Sequence, residues 1–179
     1  MVDRRTLLLG SPLIMAAASR DDLAWDYTFE GIEGFPLRLA DYRGNVLLVT
    51  NTASFCGYTS QYEGLQQTHD DFRALGFAVI GVPSDDFDQE AGSNAEVQKF
   101  CEVTFGIDFP MAAISHVRGT QAHPFYQWVR RQGFGEPRWN FNKVLVGRDG
   151  YVKAMFPSAD APDGKRIRNA IEEALASSA

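Results

Sequence analysis

Two cysteines in 179 residues are few enough for each to be weighed on its own chemistry. Cys56 lies in the stretch NTASFCGYTSQYEGL, residues 51–65, seven residues beyond Val49 and just ahead of a predicted helix start. Chemistry in open α/β sheets collects where strands end and helices begin. The unpaired amides and the positive end of a helix dipole favour an anion there, and for a thiol that anion is the nucleophilic thiolate. Most free cysteines are small buried hydrophobes. The neighbours of Cys56 are Thr52, Ser54, Gly57 and Thr59, which predict an exposed turn and a functional thiol. Tyr58 and Thr59 stand where a Cys-x-x-Cys pair would need its second thiol, so an ordinary disulfide oxidoreductase is excluded. Cys101, 45 residues on, falls on the apolar stripe of another predicted helix, a position that by itself favours burial.

Metal chemistry has little to build on. Two cysteines far from any His do not make the close ligand pairs of a zinc site, and His69, His116 and His123 are scattered and read as surface or capping residues. The acidic run Asp85, Asp86, Asp88, Glu90 has Ala91 where a calcium loop needs its glycine. No metal or prosthetic cofactor is expected.

The elements around these residues follow from periodicity. WDYTFEGIEGFPLRLADYRG, from Trp25, reads as an N-terminal β-hairpin; Asn45 to Thr52 and Phe77 to Pro83 are continuous apolar runs, hence strands buried on both faces. Between them Ser60 and Glu63 match a capping box, with Tyr62, Leu65, Phe72 and Leu75 on one helical face up to a stop at Gly76. A second helix is predicted from Ser93 or Asn94 to Phe105, with Val97, Phe100, Cys101, Thr104 and Phe105 facing inward; Phe109 to Ile114 is extended. Pro124 to Arg131 reads as a helix with proline in its first turn, KVLVGRDGYVKAMF as a hairpin, and Lys165 to Ala176 as an amphipathic helix. The order predicts a thioredoxin-like α/β fold with a mixed central sheet flanked by helices.

Residues 1–19, MVDRRTLLLGSPLIMAAAS, order positive, short apolar and small residues as a secretory signal does, and Arg4-Arg5 points to the twin-arginine route. Export to a periplasm and one domain over residues 20–179 are the expectation. A net charge of −6 argues against nucleic acid or an anionic membrane as partner.

Three segments, in order, resemble the glutathione peroxidase family. NTASFCGYTSQYEGL is similar to its N-x-A-S-x-C-G-x-T-x-x-Y-x-x-L active-site segment, QEAGSNAEVQKFC to its Q-E-P-G-S-N segment and following helix, and WNFNKVLVGRDG to its W-N-F-x-K-F-L-V strand. The resemblance covers residues 25–176 and implies a thioredoxin-like fold and reduction of hydrogen peroxide or organic hydroperoxides. It makes Cys56 the peroxidatic nucleophile, passing through a sulfenic acid, and Gln89, Trp139 and Asn140 its partners. These side chains donate hydrogen bonds without ionising near neutral pH. Cys101 matches the resolving cysteine of members reduced by thioredoxin, so glutathione and a thioredoxin-like protein are both candidate reductants. Family members commonly read N-Q-F-G-x-Q where this chain reads D-D-F-D-Q, one residue shorter and without the glycine. Carboxylates there would oppose a thiolate and repel anionic glutathione. The segment between WVRRQGF and RWNF is shorter than in tetrameric members, so a monomer is expected. The alternatives are a peroxide sensor that hands a disulfide to a partner, and a redox-inactive thioredoxin-fold binding module.

Overall fold

The computed structural model describes residues 22–177; the signal reading of residues 1–19 lies outside them. Strand β1 (Thr28–Glu30) and β2 (Pro36–Arg38) form the N-terminal hairpin. The main sheet has the order β4-β3-β5-β6, built from β3 (Val46–Thr52), β4 (Phe77–Pro83), β5 (Lys143–Val146) and β6 (Val152–Phe156). The β3–β4 pair is parallel and the β3–β5 and β5–β6 pairs antiparallel, so the sheet is mixed, as the pattern predicted. Four helices complete the fold: α1 (Gln61–Phe72), α2 (Asn94–Phe105), α3 (Pro124–Arg131) and α4 (Lys165–Ala176).

The continuous apolar character of β3 has a direct cause. Successive strand residues point to opposite faces, and both faces are covered. Leu47 and Val49 pack with Ile80, Phe125 and Trp128 beneath α3 and the hairpin. Val46 and Leu48 pack with Tyr62, Leu65, Phe72 and Ile171 beneath α1, α2 and α4. Cys56 and Cys101 belong to this second layer. Gly150 closes the β5–β6 turn at φ +82°, and a Cβ there would lie 2.4 Å from Trp25 Nε1, which restricts the position to glycine.

Four local expectations are corrected. Ser60 is already helical in backbone conformation and its side chain makes no cap, so the capping box does not form. The chain enters α1 through tight turns instead, with Thr59 N–H on the Cys56 carbonyl and Gln61 N–H on that of Tyr58. Leu75 is exposed, because a 3-10 turn over Arg73–Leu75 rotates it off the buried face. Thr104 is likewise exposed on α2. His69 is buried, its Nδ1 accepting the Val79 N–H of β4 at 3.2 Å. Burial lowers the pKa of this imidazole, which favours the neutral form that can accept. His123 caps α3, accepting from Phe125 N–H, and stacks on Phe29.

Candidate active site

Strand β3 delivers the chain into the Cys56 loop, and the end of that strand also organises the opposite wall. Asn51 donates its side-chain amide to the Trp139 carbonyl (3.0 Å), and its Oδ1 accepts the Asn142 N–H (3.0 Å). Its own carbonyl accepts the Phe141 N–H at 2.6 Å. Asn142 donates to the Trp139 carbonyl and to Ser158 Oγ, and Ser158 in turn donates to the Asn140 carbonyl. The Trp139–Asn142 backbone is thereby held from both sides. Phe141 stands at φ +60°, left-handed backbone that a bulky residue rarely adopts, with its ring fully buried. Such strain persists only where the surroundings impose it.

The Cys56 loop is fixed by Thr59. Its hydroxyl accepts the Cys56 N–H at 3.0 Å and lies 2.7 Å from the Cys56 carbonyl. Tyr58 N–H donates to Cys56 Sγ at 3.4 Å. The thiol is only 7 % exposed, so the exposed turn expected from its neighbours is corrected: Phe55 and Gly57 face solvent while Sγ turns inward.

Gln89 reaches this loop through the acidic segment. Its carbonyl accepts the Phe55 N–H at 2.9 Å, which sets it beside Cys56. Its side-chain carbonyl accepts the Asn140 amide at 3.0 Å, which leaves the Gln89 NH2 group free to donate. Asn140 is fully buried, and its Oδ1 has no hydrogen-bond partner. Trp139 is 41 % exposed, its ring 5.3 Å from that of Phe87. The structure thus joins Gln89 to Asn140 directly, sets Trp139 on the same rim, and joins Cys56 to Gln89 through backbone. Tyr58 N–H, and none of these three side chains, hydrogen-bonds Sγ among the described residues.

The shortened acidic loop solves its missing glycine with Asp88, which adopts φ +57° and closes a turn onto the Asp85 carbonyl at 2.9 Å. Aspartate tolerates this conformation better than most residues. Asp85, Asp86 and Glu90 of the loop each accept backbone N–H groups. Glu90 Oε1 accepts the N–H groups of Ser54 (2.9 Å) and Ala91 (2.8 Å), bracing the Cys56 loop. Its Oε2 is buried without a partner, and burial raises its pKa. Asp86 accepts from Val117 N–H (2.6 Å) and Arg118 N–H (3.1 Å) and pairs with His116. Although burial pushes its carboxyl up, those hydrogen bonds hold it below the usual range. Asn51, Asn142 and Ser158 were not singled out from sequence, and Glu90 was read only as one carboxylate of the acidic run; an asparagine near the end of an otherwise apolar strand was the one visible signal.

Cys101 sits inside α2 at 1 % exposure. Burial pushes its thiol up to about 11, with the Glu90 and Glu102 charges adding to the effect and the Tyr62 hydroxyl opposing it. That hydroxyl lies near the thiol and is itself buried without a geometric hydrogen-bond partner. No group of three or more His, Cys, Asp or Glu side chains is arranged to hold a metal ion among the described residues.

Residues 24–130 match the family model described as glutathione peroxidase. The chain belongs to the glutathione peroxidase family. It is 35 % identical over 144 residues to the glutathione peroxidase of Lactococcus lactis, covering 78 % of this chain and 92 % of that one. It is 36 % identical over 157 residues to the hydroperoxy fatty acid reductase of Synechocystis sp., covering 82 % and 93 %. The crystal structure of Trgpx in apo form superposes with a TM-score of 0.71 at 29 % identity, covering 88 % of this chain and 98 % of that one. As a member of the glutathione peroxidase family, the chain is a thiol-dependent peroxidase on the expected thioredoxin-like fold.

Proposed function

We propose that this peroxidase works through Cys56, with Gln89, Trp139 and Asn140 as the donors that serve it. The thiolate attacks the terminal oxygen of the hydroperoxide and the O–O bond breaks. Cys56 becomes a sulfenic acid, and the departing oxygen takes a proton to leave as alcohol or water. Donors aimed at a departing oxygen lower the barrier most where water is excluded, and a Cys56 residue 7 % exposed near the buried Asn140 suits that requirement. The observation that carries the reading is the Asn140–Gln89 hydrogen bond. It spans 51 residues of sequence and leaves the Gln89 NH2 unspent beside the Cys56 loop.

We further propose Cys101 as the resolving thiol. Its sulfur attacks the Cys56 sulfenic acid, water leaves, and the disulfide is reduced by a thioredoxin-like dithiol; glutathione is the competing reductant. Both thiols in one apolar layer support this, and a disulfide needs Cα atoms within about 7 Å, so α2 opens locally for the step. Residues 1–19 are proposed as a twin-arginine signal that sends a monomeric domain, residues 20–179, to the periplasm. The name of the Synechocystis relative favours acyl hydroperoxides among the substrates. Peroxide consumption measured with thioredoxin and separately with glutathione, against Cys56→Ser as the blank, tests the assignment. Consumption with at least one reductant that vanishes in the blank is expected. No consumption with either, alongside a Cys56 that stays a free thiol under peroxide, overturns it.

A further inference from the structure

The acidic loop carries an unspent cation on its outer side. Arg118 lays its guanidinium carbon 5.1 Å from the centroid of Phe87, and Phe87 in turn lies 5.3 Å from Trp139. The Arg118 side chain is exposed and makes no ion pair among the described residues. Its backbone is nevertheless fixed, since the Arg118 N–H and Val117 N–H both donate to Asp86 Oδ2 and His116 holds Oδ1. A guanidinium stacked on a ring keeps its edge donors free for a planar anion, which it grips with two parallel hydrogen bonds.

Beside it is a recess of about 370 Å³ lined by Asp86, His116, Arg118, Gly119, Thr120 and Gln121. Apart from Asp86, its side chains are a cation, a hydroxyl, an amide and an imidazole, a donor set suited to carboxylate. Asp86 does not reserve the guanidinium for itself, because both its oxygens are already committed to His116 and to backbone amides. The placement is the informative part. On a molecule with net charge −6, an anionic ligand gains nothing from the overall field, so a local cation must hold it. This one is connected, ring by ring, to the tryptophan of the candidate active site.

We propose that the Arg118 recess is a carboxylate-binding subsite for a co-substrate reacting at Cys56. The ligand's carboxylate rests on Arg118, and its body runs toward the exposed face of Trp139. The proposal rests on the peroxidase reading for the ligand's other end, but the recess binds its anion by its own chemistry. Two ligands carry that chemistry, a hydroperoxide with a carboxylate and the thiol reductant glutathione.

The test compares wild type, Arg118→Gln and Arg118→Lys. A hydroperoxy fatty acid is set against its methyl ester at fixed dithiothreitol, and glutathione against dithiothreitol at fixed tert-butyl hydroperoxide. Calorimetric titration with the corresponding hydroxy fatty acid, and with S-methylglutathione, reads binding without turnover. For Arg118→Gln the acid-over-ester ratio of kcat/KM is expected to fall about tenfold, with partial recovery in Arg118→Lys. The Kd of the hydroxy acid should rise by a similar factor. A fall in the glutathione-over-dithiothreitol ratio instead, with weaker S-methylglutathione binding, keeps the subsite and assigns it to the reductant. Unchanged ratios and unchanged binding of both anions overturn the proposal, as does an equal loss for acid and ester. If the wild type turns over no peroxide with any thiol, the peroxidase reading fails, and the titrations alone decide the recess.

Discussion

The two cysteines occupy one apolar layer and have opposite circumstances. Cys56 sits in a loop, receives a backbone N–H on its sulfur, and neighbours a pair of side-chain amides with hydrogen-bonding capacity to spare. Cys101 sits within a helix, where burial and the Glu90 and Glu102 charges disfavour its thiolate. Identical side chains thus meet different surroundings. In the proposed mechanism Cys56 is the first to meet peroxide, and Cys101 reacts once α2 opens.

The comparison breaks most completely at Cys56 itself. Cys56→Ser is expected to reduce peroxide consumption to the uncatalysed rate in a coupled thiol-oxidation assay. Next come the partners. Gln89→Ala and Asn140→Ala should each slow oxidation of Cys56 by about 10²-fold, read as stopped-flow fluorescence after one equivalent of peroxide. A change under threefold would show that the amide pair is scaffolding.

The Cys101 side sharpens through its own variant. Cys101→Ser should retain the first, stoichiometric turnover and lose rapid recycling by a thioredoxin-like dithiol, with no intramolecular disulfide in non-reducing mass spectrometry. Full multi-turnover activity would remove its resolving role. The buried thiol also has a signature in stability. Its folded pKa of about 11 exceeds the unfolded value of 9.0, so its contribution is complete below pH 9 and declines as pH rises toward 11. In urea melts, wild type should lose up to about 2–3 kcal/mol across that window relative to Cys101→Ala. Lys143, pushed down to about 8 by burial, gives the opposite slope from pH 8 upward and is common to both proteins, so it cancels in the difference.

The smallest expected effect concerns the loop that carries Gln89. Asp88→Ala places a residue that tolerates left-handed backbone less well than aspartate at φ +57° and should cost about 1 kcal/mol. Asp88→Gly should be neutral or slightly stabilising in the same melt.

Where periodicity governs, the sequence was readable. The strand Phe77–Pro83, the helices Pro124–Arg131 and Lys165–Ala176 and the β5–β6 hairpin fall where the patterns predicted. The candidate residues were nominated by three ordered motifs. What escaped was set by partners distant in sequence. Ser60 makes no side-chain cap because the chain enters α1 through backbone turns that follow the Cys56 loop. His69 was drawn inward by an amide of β4. The carboxylates of the acidic loop read as a threat to a thiolate, yet Glu90 reaches 36 residues back to brace Ser54. Asp88 replaces a glycine through a backbone angle that composition does not disclose.

The central claim is that Cys56, and not Cys101, is the thiol that peroxide oxidises. The direct measurement is peptide mass spectrometry after one equivalent of hydrogen peroxide with a sulfenic-acid trap such as dimedone, in the Cys101→Ser background and in Cys56→Ser. A trapped adduct on Cys56 in the first, with Cys101 left as free thiol in the second, is the predicted result. An adduct on Cys101, or no adduct on Cys56, would contradict it.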